Sequence, residues 1–281
     1  MRPSRFLLCL FAAGLRGAAA KFSPYANNGG SVVAVAGCDF AIIAADAQLL
    51  DGTLIRTEGF DRVALVSAKA CVASAGCEVD CSHVQHLLRD AGLRYGERGG
   101  GGALAAPACA QLLSRVLYSK RSMPYYAANV VAGVSRQGRG VAYAFDSLGS
   151  ASEACALAAG AAQTMLQPVL DDLAPQRLPH HQAAYPVFDD VATARSAVLS
   201  AFSAAAQRDV TVGATVHMAV ITASGVKREV HTIPAAAAAR PRGPPPGARP
   251  QSRGSPPLPV DDAARRAFSI FTTASAAPPP R

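Results

Sequence analysis

The sequence predicts an α+β domain built as a four-layer αββα sandwich. Three observations carry that expectation. Four short apolar runs rich in β-branched residues precede any helical pattern, two pairs of amphipathic segments follow, and further strand-like runs sit between and after those pairs.

In chain order, Ser31 to Gly37 (SVVAVAG) and Phe40 to Asp46 (FAIIAAD) are separated only by Cys38 and Asp39 and read as a buried hairpin that ends in a carboxylate. Arg62 to Val66 and Cys71 to Ala75 form a second pair, and the latter runs into Gly76, where a strand end can present a backbone N–H. From Cys77 to Tyr95, and again from Pro107 to Tyr118, apolar residues recur at spacings of three and four: Val84, Leu87 and Leu88, then Leu112, Leu113, Val116 and Leu117. These are amphipathic helices joined across the glycine run Gly99 to Gly102. Strands are expected at Ala127 to Val134 and Gly140 to Phe145, helices at Ala159 to Asp171 and Asp189 to Gln207, and closing strands at Thr215 to Thr222 and Val226 to Thr232.

The chain has 281 residues and a formal net charge of +8. The excess lies in its ends, because residues 21–233 hold 17 Lys+Arg and 17 Asp+Glu. A balanced core argues against a nucleic-acid partner. Residues 1–20 have an arginine-bearing start, an apolar centre from Phe6 to Leu15 and small residues resembling a cleavage site, the pattern of a secretory signal. That centre is too short to span a bilayer. Residues 234–281 are an Ala/Pro/Arg tract too poor in large apolar residues to build a core, and they read as a disordered tail whose one apolar cluster is Phe268 to Phe271. One folded domain, residues 30–233, lies between an extension of residues 1–29 and this tail.

Seven cysteines set among apolar residues suit reduced core thiols better than a disulfide framework. Cys77, Cys81, His83 and His86 are chemically plausible zinc ligands, but a helix does not align all four on one face and no second ligand pair lies at zinc-finger spacing. Neither a metal site nor a cofactor is expected.

Gly30-Ser31-Val32-Val33-Ala34, followed by Gly37, Asp46, Arg62 and Gly76, resembles the active-site skeleton of the proteasome beta subunits. That resemblance implies the N-terminal-nucleophile hydrolase fold. In catalytic members of the family a Gly-Thr bond is cut, the freed threonine attacks a peptide carbonyl with its own amine as base, an aspartate and a lysine tune the proton transfer, and a glycine N–H forms the oxyanion hole. The Ala34, Gly37, Asp46 and Gly76 anchors place Gly30 at the threonine, Asp46 at the aspartate and Arg62 at the lysine. Two family serines fall on Ala161 and Val212, with Asp209 kept three residues before the latter. A glycine has no side chain to attack with, and a guanidinium does not give up its proton.

Phe22 to Tyr25 with Asn28 to Gly30, Leu117 to Arg121 with Pro124 to Tyr126, and Met165 to Asp171 resemble the beta type-1 (beta-six) branch of that family, which is non-catalytic. The resemblance implies a structural subunit that completes a ring beside other alpha and beta subunits in stacked heteroheptameric rings, in cytoplasm and nucleus, with no membrane. On this reading the extension is propeptide-like, where its composition alone reads as a signal, and both readings stand. An alternative for the chemistry is cleavage between Gly30 and Ser31, which would expose Ser31 as nucleophile near Asp46. Against it, Ser31 lies one residue past the expected position, so its side chain should face the other side of the strand.

Overall fold

A computed structural model describes residues 25–97, 102–175 and 188–233. The signal-like segment, all but the last residue of the glycine run, most of the loop after the third helix and the Ala/Pro/Arg tail lie outside these residues.

Twelve strands and four helices are described, in this order: β1 (Ser31–Ala36), β2 (Phe40–Asp46), β3 (Leu49–Asp51), β4 (Leu54–Thr57), β5 (Val63–Ser67), β6 (Ala70–Gly76), α1 (Glu78–Glu97), α2 (Ala106–Ser119), β7 (Ala127–Val134), β8 (Gly140–Phe145), β9 (Ala151–Glu153), β10 (Ala156–Gly160), α3 (Gln163–Leu173), α4 (Val191–Ala206), β11 (Thr215–Thr222) and β12 (Gly225–Thr232). Two five-stranded antiparallel sheets form, ordered β10-β1-β2-β11-β12 and β5-β6-β7-β8-β9. The first is covered by α3 and α4 and the second by α1 and α2, which is the αββα sandwich expected from the sequence.

Alternation along β1 sorts its residues between two cores. Val33 and Val35 pack with Leu166, Leu170, Val198 and Phe202 of the helix layer, while Val32, Ala34 and Ala36 face the other sheet. Both faces are covered, so from Val32 to Ala36 the strand is apolar instead of alternating with polar residues. Ten of the seventeen buried residues between the sheets are alanine. Such small side chains let Cα atoms of β1 and β2 come within 8 Å of β7, inside the ~10 Å at which stacked sheets usually face each other. Outside, larger residues do the packing: Val84, Leu88, Leu113 and Leu117 seal α1 and α2 onto their sheet. Helix ends follow the local sequence, with Pro107 in the first turn of α2 and the Asp190 side chain accepting from the N–H groups of Ala192 and Thr193 at 3.0 and 3.1 Å.

Three expectations need correction. Six strands precede the first helix, because Leu49 to Thr57 forms the additional hairpin β3–β4 around Gly52-Thr53, with Gly52 at φ +61°. A glycine at the first of two loop residues with positive φ suits a type II′ hairpin turn. The helix expected from Ala159 starts at Gln163, because Ala156 to Gly160 is strand β10, paired with β1 from Ala156↔Val35 to Gly160↔Ser31. Alanine favours helix locally, and pairing along the open edge of β1 overrides that preference. Strand β9 was not expected either.

The six described cysteines are free, and five are buried. Burial pushes the thiols of Cys71, Cys81 and Cys109 up to about 12 and that of Cys155 to about 11, so they pack as small neutral hydrophobes. The His83 ring packs against that of Tyr125 in a tilted arrangement, with centroids 5.8 Å apart. Among the described residues no three metal-ligating side chains gather at one place.

Leu113→Ala should lower unfolding free energy by about 2–5 kcal/mol, since Leu113 is fully buried between α2 and its sheet. Leu93→Ala, at a position 65% exposed in the same helix layer, should stay within about 0.5 kcal/mol. Chemical denaturation of the two variants checks this.

Candidate functional site: a buried Asp46–Arg62 pair beside Gly30

The start of β1, the end of β2, the residue before β5 and the end of β6 meet at one point, bringing Gly30, Asp46, Arg62 and Gly76 together. Asp46 and Arg62 are both fully buried, with Asp46 Oδ1 3.7 Å from Arg62 Nε. The carboxylate accepts from the N–H of Ser31 at 2.7 Å and from that of Gly213 at 3.3 Å. Arg62 Nη2 donates to the carbonyls of Gln48 at 2.6 Å and Asn28 at 3.3 Å, and its guanidinium carbon lies 5.3 Å from the centre of the Phe60 ring. Nε and Nη1 have no hydrogen-bond partner. The cation is therefore held by one carboxylate, two carbonyls and one ring face.

This guanidinium fills the space beside Gly30. A β-carbon built on Gly30 would lie 2.6 Å from Arg62 Nη1 and overlap Cζ, and Gly30 also has φ +93°, where any other residue is strained. Only glycine fits here while Arg62 keeps this rotamer. Gly76, at φ +127°, points its N–H at the Gly29 carbonyl at 3.0 Å, and a β-carbon there would overlap the Tyr126 carbonyl.

The other expected positions divide. Ala161 belongs to the site, its N–H donating to the Gly30 carbonyl at 2.9 Å. Asp209 does not bring its carboxylate there: the Oδ1 atom accepts from the N–H and hydroxyl of Thr211 at 2.8 and 2.7 Å and fixes the turn after α4. Val212 is buried in the helix-side core, and its neighbour Gly213 reaches Asp46 through the backbone. Ser31 is completely buried and has the strand parity of Val33 and Val35, facing the helix layer as its register implies. Its hydroxyl accepts from the Ala162 N–H at 3.1 Å and its own N–H is committed to Asp46. Sequence reasoning missed Asn28 and Gln48. Both act mainly through carbonyls or across 14 to 50 positions of chain, so no local pattern marks them. A cleft of about 340 Å³ opens at Gly29 and Gly76, lined also by Ala127, Gly160, Ala161 and Gln163 and by neither member of the pair.

Burial pushes the Asp46 carboxyl above the usual carboxylate range, and Arg62 is the strongest influence pulling it back, ahead of the backbone N–H groups. An acid whose folded pKa lies above its unfolded value contributes stability at low pH that is lost as pH rises through the folded pKa. Arg62→Met removes the opposing charge and raises the Asp46 pKa further. We expect this variant to lose about 3–5 kcal/mol at neutral pH, and to be closer to the unmodified chain at pH 5 than at pH 8 in thermal melts. A deficit independent of pH would contradict the coupling.

A family model described as "Proteasome subunit" matches residues 26–221. The chain is 35% identical over 214 residues to "Proteasome subunit beta type-1" of Petunia hybrida, covering 75% of this chain and 95% of that protein. It is 36% identical over 212 residues to the protein of the same name in Drosophila melanogaster, covering 75% and 89%. It is 32% identical over 219 residues to "Probable proteasome subunit beta type-6" of Schizosaccharomyces pombe, covering 75% and 96%. With its αββα layers and a match across nearly all the described residues, the chain belongs to the proteasome subunit family.

Proposed function

We propose that this chain is a non-catalytic, structural beta subunit of the 20S proteasome core, of the beta type-1 kind, whose work is to complete the beta ring of a protein-degrading particle. The observation that carries this reading is the Arg62 guanidinium beside Gly30. A nucleophile at residue 30 would need a side chain in the volume that Arg62 occupies. Gly30, Asp46, Arg62, Gly76, Ala161, Asp209 and Val212 are then the remains of a site whose hydroxyls are gone and whose proton-sharing amine is replaced by a permanent cation. The remaining ion pair ties β1, β2 and β5 together and takes no part in bond cleavage.

Ser31 does not supply the missing group. Its hydroxyl is turned toward the helix layer and is engaged with Ala162, and its N–H is held by Asp46. The partners are the other alpha and beta subunits of stacked heteroheptameric rings, in cytoplasm and nucleus. The identities with beta type-1 proteins over about nine-tenths of their length support assembly with other proteasome subunits. Among the described residues no helix is long and apolar enough to cross a membrane.

Native purification of the tagged chain, with mass spectrometry of what accompanies it, tests the assignment. A large particle with alpha and other beta subunits is expected, with peptidase activity unchanged by Ser31→Ala. A lone chain whose peptidase activity disappears in that variant would overturn it.

A further inference from the structure

A groove of about 460 Å³ runs between α1 and α2, on the layer that covers the second sheet. Leu104 and Leu112 give it an apolar floor, the first buried in the helix-side core and the second packed against it. Arg94 of α1 and Arg115 of α2, both exposed, line it from one helix each, and no acidic residue lines it. At the Tyr95 end a third guanidinium arrives from the β7–β8 turn, where Arg136 Nη2 donates to the Tyr95 hydroxyl at 3.4 Å. The helix α2 has no acidic residue anywhere along its length.

This local excess of positive charge stands out because residues 21–233 carry 17 Lys+Arg and 17 Asp+Glu. Arg56, Arg62, Arg195 and Arg228 each meet a carboxylate. Among the described residues, the side chains of Arg94 and Arg115 have neither an ion pair nor a hydrogen bond, although Asp90 and Glu97 lie on the same helix as Arg94. Two like charges on facing helices repel each other, and a carboxylate placed between them turns that repulsion into two attractions.

We propose that the α1–α2 groove is the docking site for an acidic segment of a neighbouring subunit, which sets a carboxylate between Arg94 and Arg115 and lays an apolar side chain on Leu104 and Leu112. This rests on the ring assembly proposed above and adds the chemistry of one of its contacts. A guanidinium takes a carboxylate through two parallel N–H···O bonds, and arginines beside an apolar floor that excludes water are typical anchors of interfaces. The groove is also ready-made. Val84, Leu88, Leu113 and Leu117 fix both helices on their sheet, so little ordering is needed when the partner arrives.

The purified particle tests this with two variants of the full chain. Arg94→Lys/Arg115→Lys keeps both charges and supplies amines that a carbodiimide joins directly to any carboxylate they touch. Mass spectrometry should then find an amide link from residue 94 or 115 to an Asp or Glu of another subunit. Links confined to Asp90 or Glu97 of this chain, or none at either position, overturn the proposal. Arg94→Glu/Arg115→Glu should lower recovery of the chain in the particle by roughly tenfold or more. Changing the cross-linked acid of the neighbour to lysine should restore that recovery, which a mere folding defect would not allow. Equal recovery of the charge-reversed and unmodified chains contradicts the docking site alone, whereas failure of the unmodified chain to enter any particle removes the assembly reading and this proposal with it.

Discussion

The structure depends on a cation that has nowhere else to go. Arg62 lies between the sheets with no exposed surface, and its charge is tolerable only because Asp46, two backbone carbonyls and the Phe60 ring surround it. Such a pair gains little stability over well-packed apolar residues, yet breaking it is costly, so it acts as a constraint more than as a source of energy. The constraint extends outward from there. Residue 30 must be glycine because the guanidinium stands where a β-carbon would go, the loop at Asn28 and Gln48 must turn its carbonyls inward, and Gly213 must bring its N–H to the far oxygen of Asp46. The volume beside Gly30 is thus filled by a group that can neither attack a carbonyl nor give up its proton.

Around this point the sandwich is graded by side-chain size. Alanines dominate between the sheets, where the backbones approach, and leucine, valine and phenylalanine fill the two helix-facing cores. Close approach of the sheets lets strand ends from both of them converge on Arg62. The buried thiols take part in this packing as small residues, and their raised pKa values keep them protonated and uncharged.

Much of this was legible in the sequence because it rests on short-range patterns. Continuous apolar runs marked β1, β2, β6, β7 and β11, spacings of three and four marked α1 and α2, and the anchors at Asp46, Arg62 and Gly76 fell at strand ends where they could meet. The errors have physical causes. Ala156 to Gly160 carries no β-branched residue, and only the open edge of β1 makes it a strand. The Asp51-Gly52 pair was a readable hairpin signal, but the strands beside it are three and four residues long, too short to show alternation. Asn28 was invisible as a hub because its contacts lie 22 and 50 residues away. Asp209 was singled out by its spacing from Val212, but its carboxylate serves a local turn, which spacing alone does not reveal.

The central claim is that no group at the start of β1 is available for attack. Exposing the native particle to a peptide carrying an electrophile for N-terminal nucleophiles, then mapping every modified residue by mass spectrometry, tests it most directly. The account predicts adducts on other subunits and none on this chain. An adduct on Ser31, or on a newly exposed amine at Gly30 or Ser31, would contradict it.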